Sequence, residues 1–167
     1  MEQWNAYTAD GTVTDKILIR GEPIPEGLYH LVCEVLVRHR DGSYLCMRRD
    51  PRKPSYPGLY EATAGGAAQL FEDPLTCIRR ELFEETGIRC DDFTQIGRYL
   101  VGGNAIFHCF FCTVDVDKSA VRLQEGETID YRWLPEEEFI RFIRSEEAIE
   151  SQIRRYRPYY ESMGYID

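Results

Sequence analysis

The sequence has little of what would carry a protein into or across a membrane. Its longest uncharged run, Tyr99 to Val114, is broken by Gly102-Gly103-Asn104 and reads as strand, turn, strand rather than as a bilayer span. The opening MEQWNAYTAD is acidic and lacks an apolar stretch, so no signal peptide and a cytoplasmic location are expected. Positive charge is scarce too. Twenty Lys and Arg stand against 29 Asp and Glu, a net charge of −9. That balance gives binding to a nucleic-acid backbone little support. Repeats, low-complexity tracts and interdomain linkers are missing, so the 167 residues read as one domain, a length that buries roughly 70 % of the unfolded surface. Six cysteines without a secretory signal are expected to be reduced thiols. The pair in CFFC, Cys109 and Cys112, sits in a strand-like segment whose i and i+3 positions face opposite ways, which argues for core positions over a metal or redox pair.

What is present is a mixed pattern of strands and helices. Residues 1–27 read as a strand, a turn at Asp10-Gly11, a second strand and a Pro/Gly-bearing link. LYHLVCEVLVRHR and SYLCMRR flank Asp41-Gly42 as a hairpin. Asp73 as N-cap, Pro74 as first residue and Gly87 just past the end bound a helix with an apolar stripe at Leu75, Ile78 and Leu82. FTQIGRYLV, AIFHCFFCTV and TIDYRWL read as strands, and residues 135–167 as helices, the last expected to kink or end at Pro158. This order predicts an α+β sandwich rather than a parallel βαβ fold.

The stretch RRELFEETG, Arg79 to Gly87, concentrates Glu81, Glu84 and Glu85 beside the apolar stripe. Like charges so close on a helix repel by roughly a few tenths of a kcal/mol per pair. At about 100° per residue the three span an arc of about 100°, aimed into one space. Hard oxygens so grouped suit Mg²⁺ or Mn²⁺. The paired glycines Gly65-Gly66 let backbone approach a ligand, and a carbonyl there could complete the set.

Gly66, Glu72 and Arg80-Glu81-Leu82-Phe83-Glu84-Glu85-Thr86-Gly87-Ile88, at their spacing, resemble the Nudix box of the MutT-type Nudix hydrolases over residues 66–88. YPGLYEATAGG before it and EGETIDYRWLPEEEF after it resemble a Nudix subgroup related to type I isopentenyl-diphosphate isomerase. The resemblance implies the Nudix fold, an α/β/α sandwich with a central mixed sheet and the box as loop, helix, loop. It implies hydrolysis of a nucleoside diphosphate linked to another moiety, with Mg²⁺ or Mn²⁺ as cofactor. On it, Glu81, Glu84, Glu85 and the Gly66 carbonyl are metal ligands, while Glu72, Arg80 and Gly87 shape the box. Glu84, Glu81 and Glu127 are the catalytic candidates, with Glu84 or Glu127 as base.

The box departs from the common form at Gln69 and Phe71, where Glu and Gly are usual. Arg48, Arg49 and Arg52, with Lys53, form a basic cluster suited to substrate phosphates, or simply an exposed hairpin end. Glu61 reads as a strand residue that could point at the site. The isomerase reading needs a cysteine where Gly65 stands and a histidine at Ala67, and is disfavoured. A non-catalytic nucleotide-binding module is disfavoured by the intact glutamates. The expected partner is a small nucleoside diphosphate derivative, with no nucleic acid or membrane. The aromatic, Arg-rich C-terminal helix is a candidate homodimer face. Gly103-Asn104-Ala105 carries neither the proline of ADP-ribose-type relatives nor the tyrosine of dinucleoside-polyphosphate types, so the substrate is left open.

Overall fold

A computed structural model describes residues 1–167. Nine strands and three helices follow in the order β1 (Gln3–Tyr7), β2 (Val13–Ile19), β3 (His30–His39), β4 (Tyr44–Arg49), β5 (Tyr60–Glu61), β6 (Thr63–Ala67), α1 (Pro74–Thr86), β7 (Thr94–Val101), β8 (Ala105–Val114), β9 (Thr128–Leu134), α2 (Glu136–Ile143) and α3 (Glu150–Ser162). β1 and β2 form a separate hairpin. The other seven make one mixed sheet. β3 runs parallel to β8, and the remaining pairs are antiparallel. β3 and β4 share one register pair, Arg38 with Tyr44, beyond which β3 takes β6 as neighbour and β4 takes β5.

Alternation along β3 divides the molecule into two cores. Leu31, Cys33, Val35 and Val37 face α1, while Leu36 faces α2 and α3. The same period puts Cys109 in the second core and Cys112 in the first, so the CFFC sulfurs diverge as the strand reading requires. Helices thus cover both faces of a mixed sheet, the expected α/β/α sandwich.

Asp73 caps α1 by accepting from the Thr76 amide at 2.8 Å, and Gly87 ends it at φ 75°, donating to the Phe83 carbonyl. The buried stripe is Cys77, Ile78 and Leu82, continued by Glu85; Ile78 and Leu82 are fully buried and contribute about 2–3 kcal/mol each. Leu75, expected in that stripe, is exposed, and Cys77 takes its place on the buried face. α3 does not end at Pro158 but runs on to Ser162. The carbonyl that Pro158 leaves without an amide belongs to Arg154, an exposed residue whose carbonyl is open to solvent rather than orphaned in the core. Tyr156, Tyr160 and Tyr165 are buried within the chain's own second core.

Candidate metal and phosphate site

The loop between β6 and α1 is held by Arg80. Its guanidinium grips Glu72 through two bonds of 2.7 and 2.9 Å and donates to the Ala67 carbonyl at 3.1 Å. Glu72 in turn accepts from the Gln69 amide at 2.8 Å. Burial pushes the Glu72 carboxyl up, but the Arg80 and Gln69 bonds outweigh it and hold the group below its ordinary range. Phe71, at the loop's tip, takes a left-handed φ of 66° that glycine would adopt without strain, and is 85 % exposed. Its amide donates to Asn5 of the N-terminal hairpin at 2.6 Å.

The three helix carboxylates and Gly66 line one cavity of about 400 Å³ between α1, β6 and the 124–127 loop. Glu85 is buried and accepts from the Gly65 amide at 3.3 Å. Burial, then the charges of Glu61 and Glu81, raise its carboxyl well above the ordinary range. Burial also raises Glu81, against the pull of Arg80 at 2.7 Å. Glu84 is the most open of the three and meets Arg80 at 3.1 Å. Glu127 joins from across the cavity, paired with Lys53.

The two glycines are required for different reasons. A Cβ on Gly66 would lie 2.6 Å from a Glu81 carboxylate oxygen, so Glu81 rests directly on the β6 backbone. A Cβ on Gly65 would lie 2.1 Å from the Cys33 carbonyl of β3. The cysteine that an isomerase would need at that position therefore has no room.

The donor set fits a hard divalent cation: five carboxylates against the three cations Arg20, Arg80 and Lys53, with Glu81 and Glu85 already destabilised as anions by burial. The side chains do not stand in ready coordination around one point, since Arg80 draws Glu81 and Glu84 toward itself. The Gly66 carbonyl accepts a weak bond from the Cys77 thiol at 3.7 Å.

Of the basic cluster, Lys53 reaches this cavity. Arg49 lines the neighbouring one, paired with Glu61 at 3.0 Å. Arg48 and Arg52 come to neither: Arg48 lies over the Tyr60 ring, and Arg52 folds back on Asp50 at 2.6 Å. Trp4 and Arg20 from the hairpin, and His30 stacked on Trp4 at 4.2 Å, complete the cavity wall. No local motif marks those three; only the docking of the hairpin brings them in. Glu61 proves buried and close enough to raise Glu85, a coupling that the alternation of its strand could have suggested.

A family model described as NUDIX domain matches residues 28–156. The chain is 31 % identical over 139 residues to the Nudix hydrolase lmo0368 of Listeria monocytogenes, covering 83 % of this chain and 82 % of that protein. It is 33 % identical over 117 residues to the Nudix hydrolase YfcD of Escherichia coli, covering 66 % and 62 %. Among solved structures, DR0079 from Deinococcus radiodurans superposes with a TM-score of 0.72 at 20 % identity, over 93 % of this chain and 99 % of that one. No helix is long and apolar enough to cross a membrane.

Proposed function

From the premise that the chain belongs to the NUDIX domain family and is a Nudix hydrolase, we propose that it cleaves the diphosphate linkage of a nucleoside diphosphate joined to another moiety, with Mg²⁺ or Mn²⁺. The observation that carries this reading is the convergence of Glu81, Glu84, Glu85 and Gly66 on one cavity, with Gly66 kept bare so that Glu81 can lie on it. Those four would hold the ion. When bound, such an ion neutralises diphosphate charge and acidifies a water molecule.

The chain's own groups supply the rest. Glu85, fixed by the Gly65 amide, is the rigid member of the set. Glu84, the open one, takes the proton of the attacking water. Glu127, paired with Lys53 across the cavity as Glu84 is with Arg80, is the other candidate base and keeps that ammonium at the cavity wall. Arg80 and Glu72 keep the loop and the first turns of α1 in register.

A panel of nucleoside diphosphate derivatives, with Mg²⁺ and with chelator, tests the proposal. Metal-dependent hydrolysis of at least one member, lost by about 10²-fold or more in Glu84→Gln, is expected. Ligand binding without cleavage across the whole panel would make the chain a binding module instead.

A further inference from the structure

Four of the six cysteines meet in two pairs, and each pair ends on a backbone carbonyl. The Cys33 thiol donates to the Cys77 sulfur, and Cys77 donates to the Gly66 carbonyl at 3.7 Å. The Cys112 thiol donates to the Cys90 sulfur, and Cys90 donates to the Asp92 carbonyl at 3.5 Å. Cys109 turns instead to Glu34 at 3.4 Å, and Cys46 lies in the second core.

Exposure separates the two pairs. Cys33 and Cys77 are both wholly buried between β3 and α1, out of reach of a solute while the protein is folded. Cys112 is 1 % exposed, but its neighbour Cys90 is partly open to solvent. One open sulfur backed by a covered one is the arrangement in which the first meets an oxidant and the second resolves the product.

Topology explains the meeting. β7 starts at Thr94, opposite Phe111 of β8. The segment from Gly87 to Phe93 carries the chain from the end of α1 into that pairing, and so past Cys112, the next residue of β8. Alternation turns Cys112 toward the first core, against which Cys90 and Phe93 also pack. The CFFC spacing would make Cys109 the partner of Cys112, yet Cys109 faces the second core. The true neighbour arrives from before β7.

We infer that Cys90 and Cys112 form a site of reversible oxidation by hydroperoxides, with Cys90 as the attacking sulfur and Cys112 as the resolving one. The Cys90 thiolate attacks the outer oxygen of the peroxide, the O–O bond breaks, and hydroxide or alkoxide leaves, making a sulfenic acid. The Cys112 sulfur then attacks the Cys90 sulfur and its own proton goes to the departing hydroxide, giving a disulfide and water. The starting charges suit these roles. The bond with Cys112, then one with the Asp92 backbone, brings the Cys90 thiol down to about 6, so it is largely thiolate at neutral pH. The same bond, then burial, raises Cys112, which keeps its proton until it is needed. Neither cysteine lines the carboxylate cavity, so the site does not depend on the hydrolase reading.

The test treats the whole reduced protein, in chelator, with a small excess of hydrogen peroxide, followed by alkylation in denaturant and peptide mapping. Cys90 is expected to be consumed at least about tenfold faster than any other thiol. A peptide joining Cys90 to Cys112, short of two hydrogens in mass, is expected in the same sample, and dithiothreitol should restore both thiols. Cys112→Ala should stop at the sulfenic acid, which dimedone traps on Cys90. Cys90→Ser should leave every remaining thiol reduced under the same treatment. The wild-type map needs no variant, so it decides even if Cys112→Ala folds poorly. Oxidation that bypasses Cys90, a bridge from Cys112 to Cys109, a link between chains through Cys90, or sulfinic acid on Cys90 beside a reduced Cys112 would overturn the inference. Full retention of all six thiols would overturn it too.

Discussion

Adjacent glycines give the sharpest test of how this site is built, because the same methyl group should do opposite things at positions 65 and 66. In Gly65→Ala the new Cβ would meet the Cys33 carbonyl at 2.1 Å and the Glu34 Cα at 2.6 Å, where ordinary contact begins at 3.4 Å. Both obstacles are backbone of the central strand β3, hemmed by β6 and β8. Relief requires the strands to part, at a cost of about 3 kcal/mol. For a chain of this size that lowers the melting temperature by roughly 6–12 °C. In Gly66→Ala the obstacle is the Glu81 carboxylate at 2.6 to 2.7 Å, the free end of a long side chain. It can swing aside, and the entropy saved by replacing glycine contributes about 0.5–1 kcal/mol in return. The melting temperature should move by no more than about 2 °C. Function should not survive so well. On the role proposed for Glu81, displacing its oxygen by most of an ångström is expected to cost about 10²-fold in kcat/KM, and Mn²⁺ affinity should fall with it. Differential scanning calorimetry, Mn²⁺ titration and steady-state kinetics on both variants settle the matter. Full activity and unchanged Mn²⁺ affinity in Gly66→Ala would refute the role given to Glu81. A melting loss in Gly66→Ala as large as that in Gly65→Ala would refute the account of the contacts.

Arg80→Met should destabilise the metal-free protein by about 3 kcal/mol, because Glu72 and Glu81 lose their partner while about nine-tenths covered; urea unfolding should show a smaller loss in Mn²⁺ than in chelator. Phe71→Gly removes an exposed residue from a left-handed conformation. The relief of about 1–2 kcal/mol exceeds the entropic loss of about 0.5–1 kcal/mol, so the melting temperature should rise by about 1–4 °C, and a fall would contradict the strain. Cys90 is the one partly exposed cysteine of the six. The bond with Cys112, then one with the Asp92 backbone, brings its thiol down to about 6 against the opposing push of burial. Its alkylation by iodoacetamide should therefore climb through pH 6 and level off by about pH 7, one label per chain by mass spectrometry; a midpoint near the ordinary thiol value of about 8.5 would exclude that bond.

What could be read from the sequence, and what could not, follows from the range over which each residue acts. Glu81, Glu84 and Glu85 lie within about one turn of α1 with Arg80 just before them, while Gly66 lies at the end of β6 and Glu72 in the loop that leads into the helix. Helical period and turn chemistry are local rules, so they suffice to put these side chains on one side of α1. Strand alternation is equally local, and it placed Cys109 and Cys112 on opposite faces of β8. Leu75 shows where such rules stop. Periodicity says which residues share a face, but not which of them the fold covers, and Leu75 in the first turn of α1 stays exposed. Pro158 shows the same limit from the other side. A missing amide ends a helix only where the orphaned carbonyl has nowhere to turn, and that depends on which face meets water.

The neighbouring cavity, lined by Glu34, Glu61, Gln152 and Arg155, is built from such non-local facts. Glu34 and Arg155 are 121 residues apart and Glu61 and Gln152 are 91 apart, so neither pair has any signature in a window of sequence. Glu34 looks locally like a misplaced charge in an apolar strand, while Gln152 and Arg155 pass for surface residues of a polar helix. The helix carboxylates carry their own explanation, since a cation relieves them. The strand carboxylates are already relieved by arginines from elsewhere in the chain. Burying two finished ion pairs costs desolvation that apolar side chains would avoid, and stability alone gives no reason to keep them beside the reaction cavity.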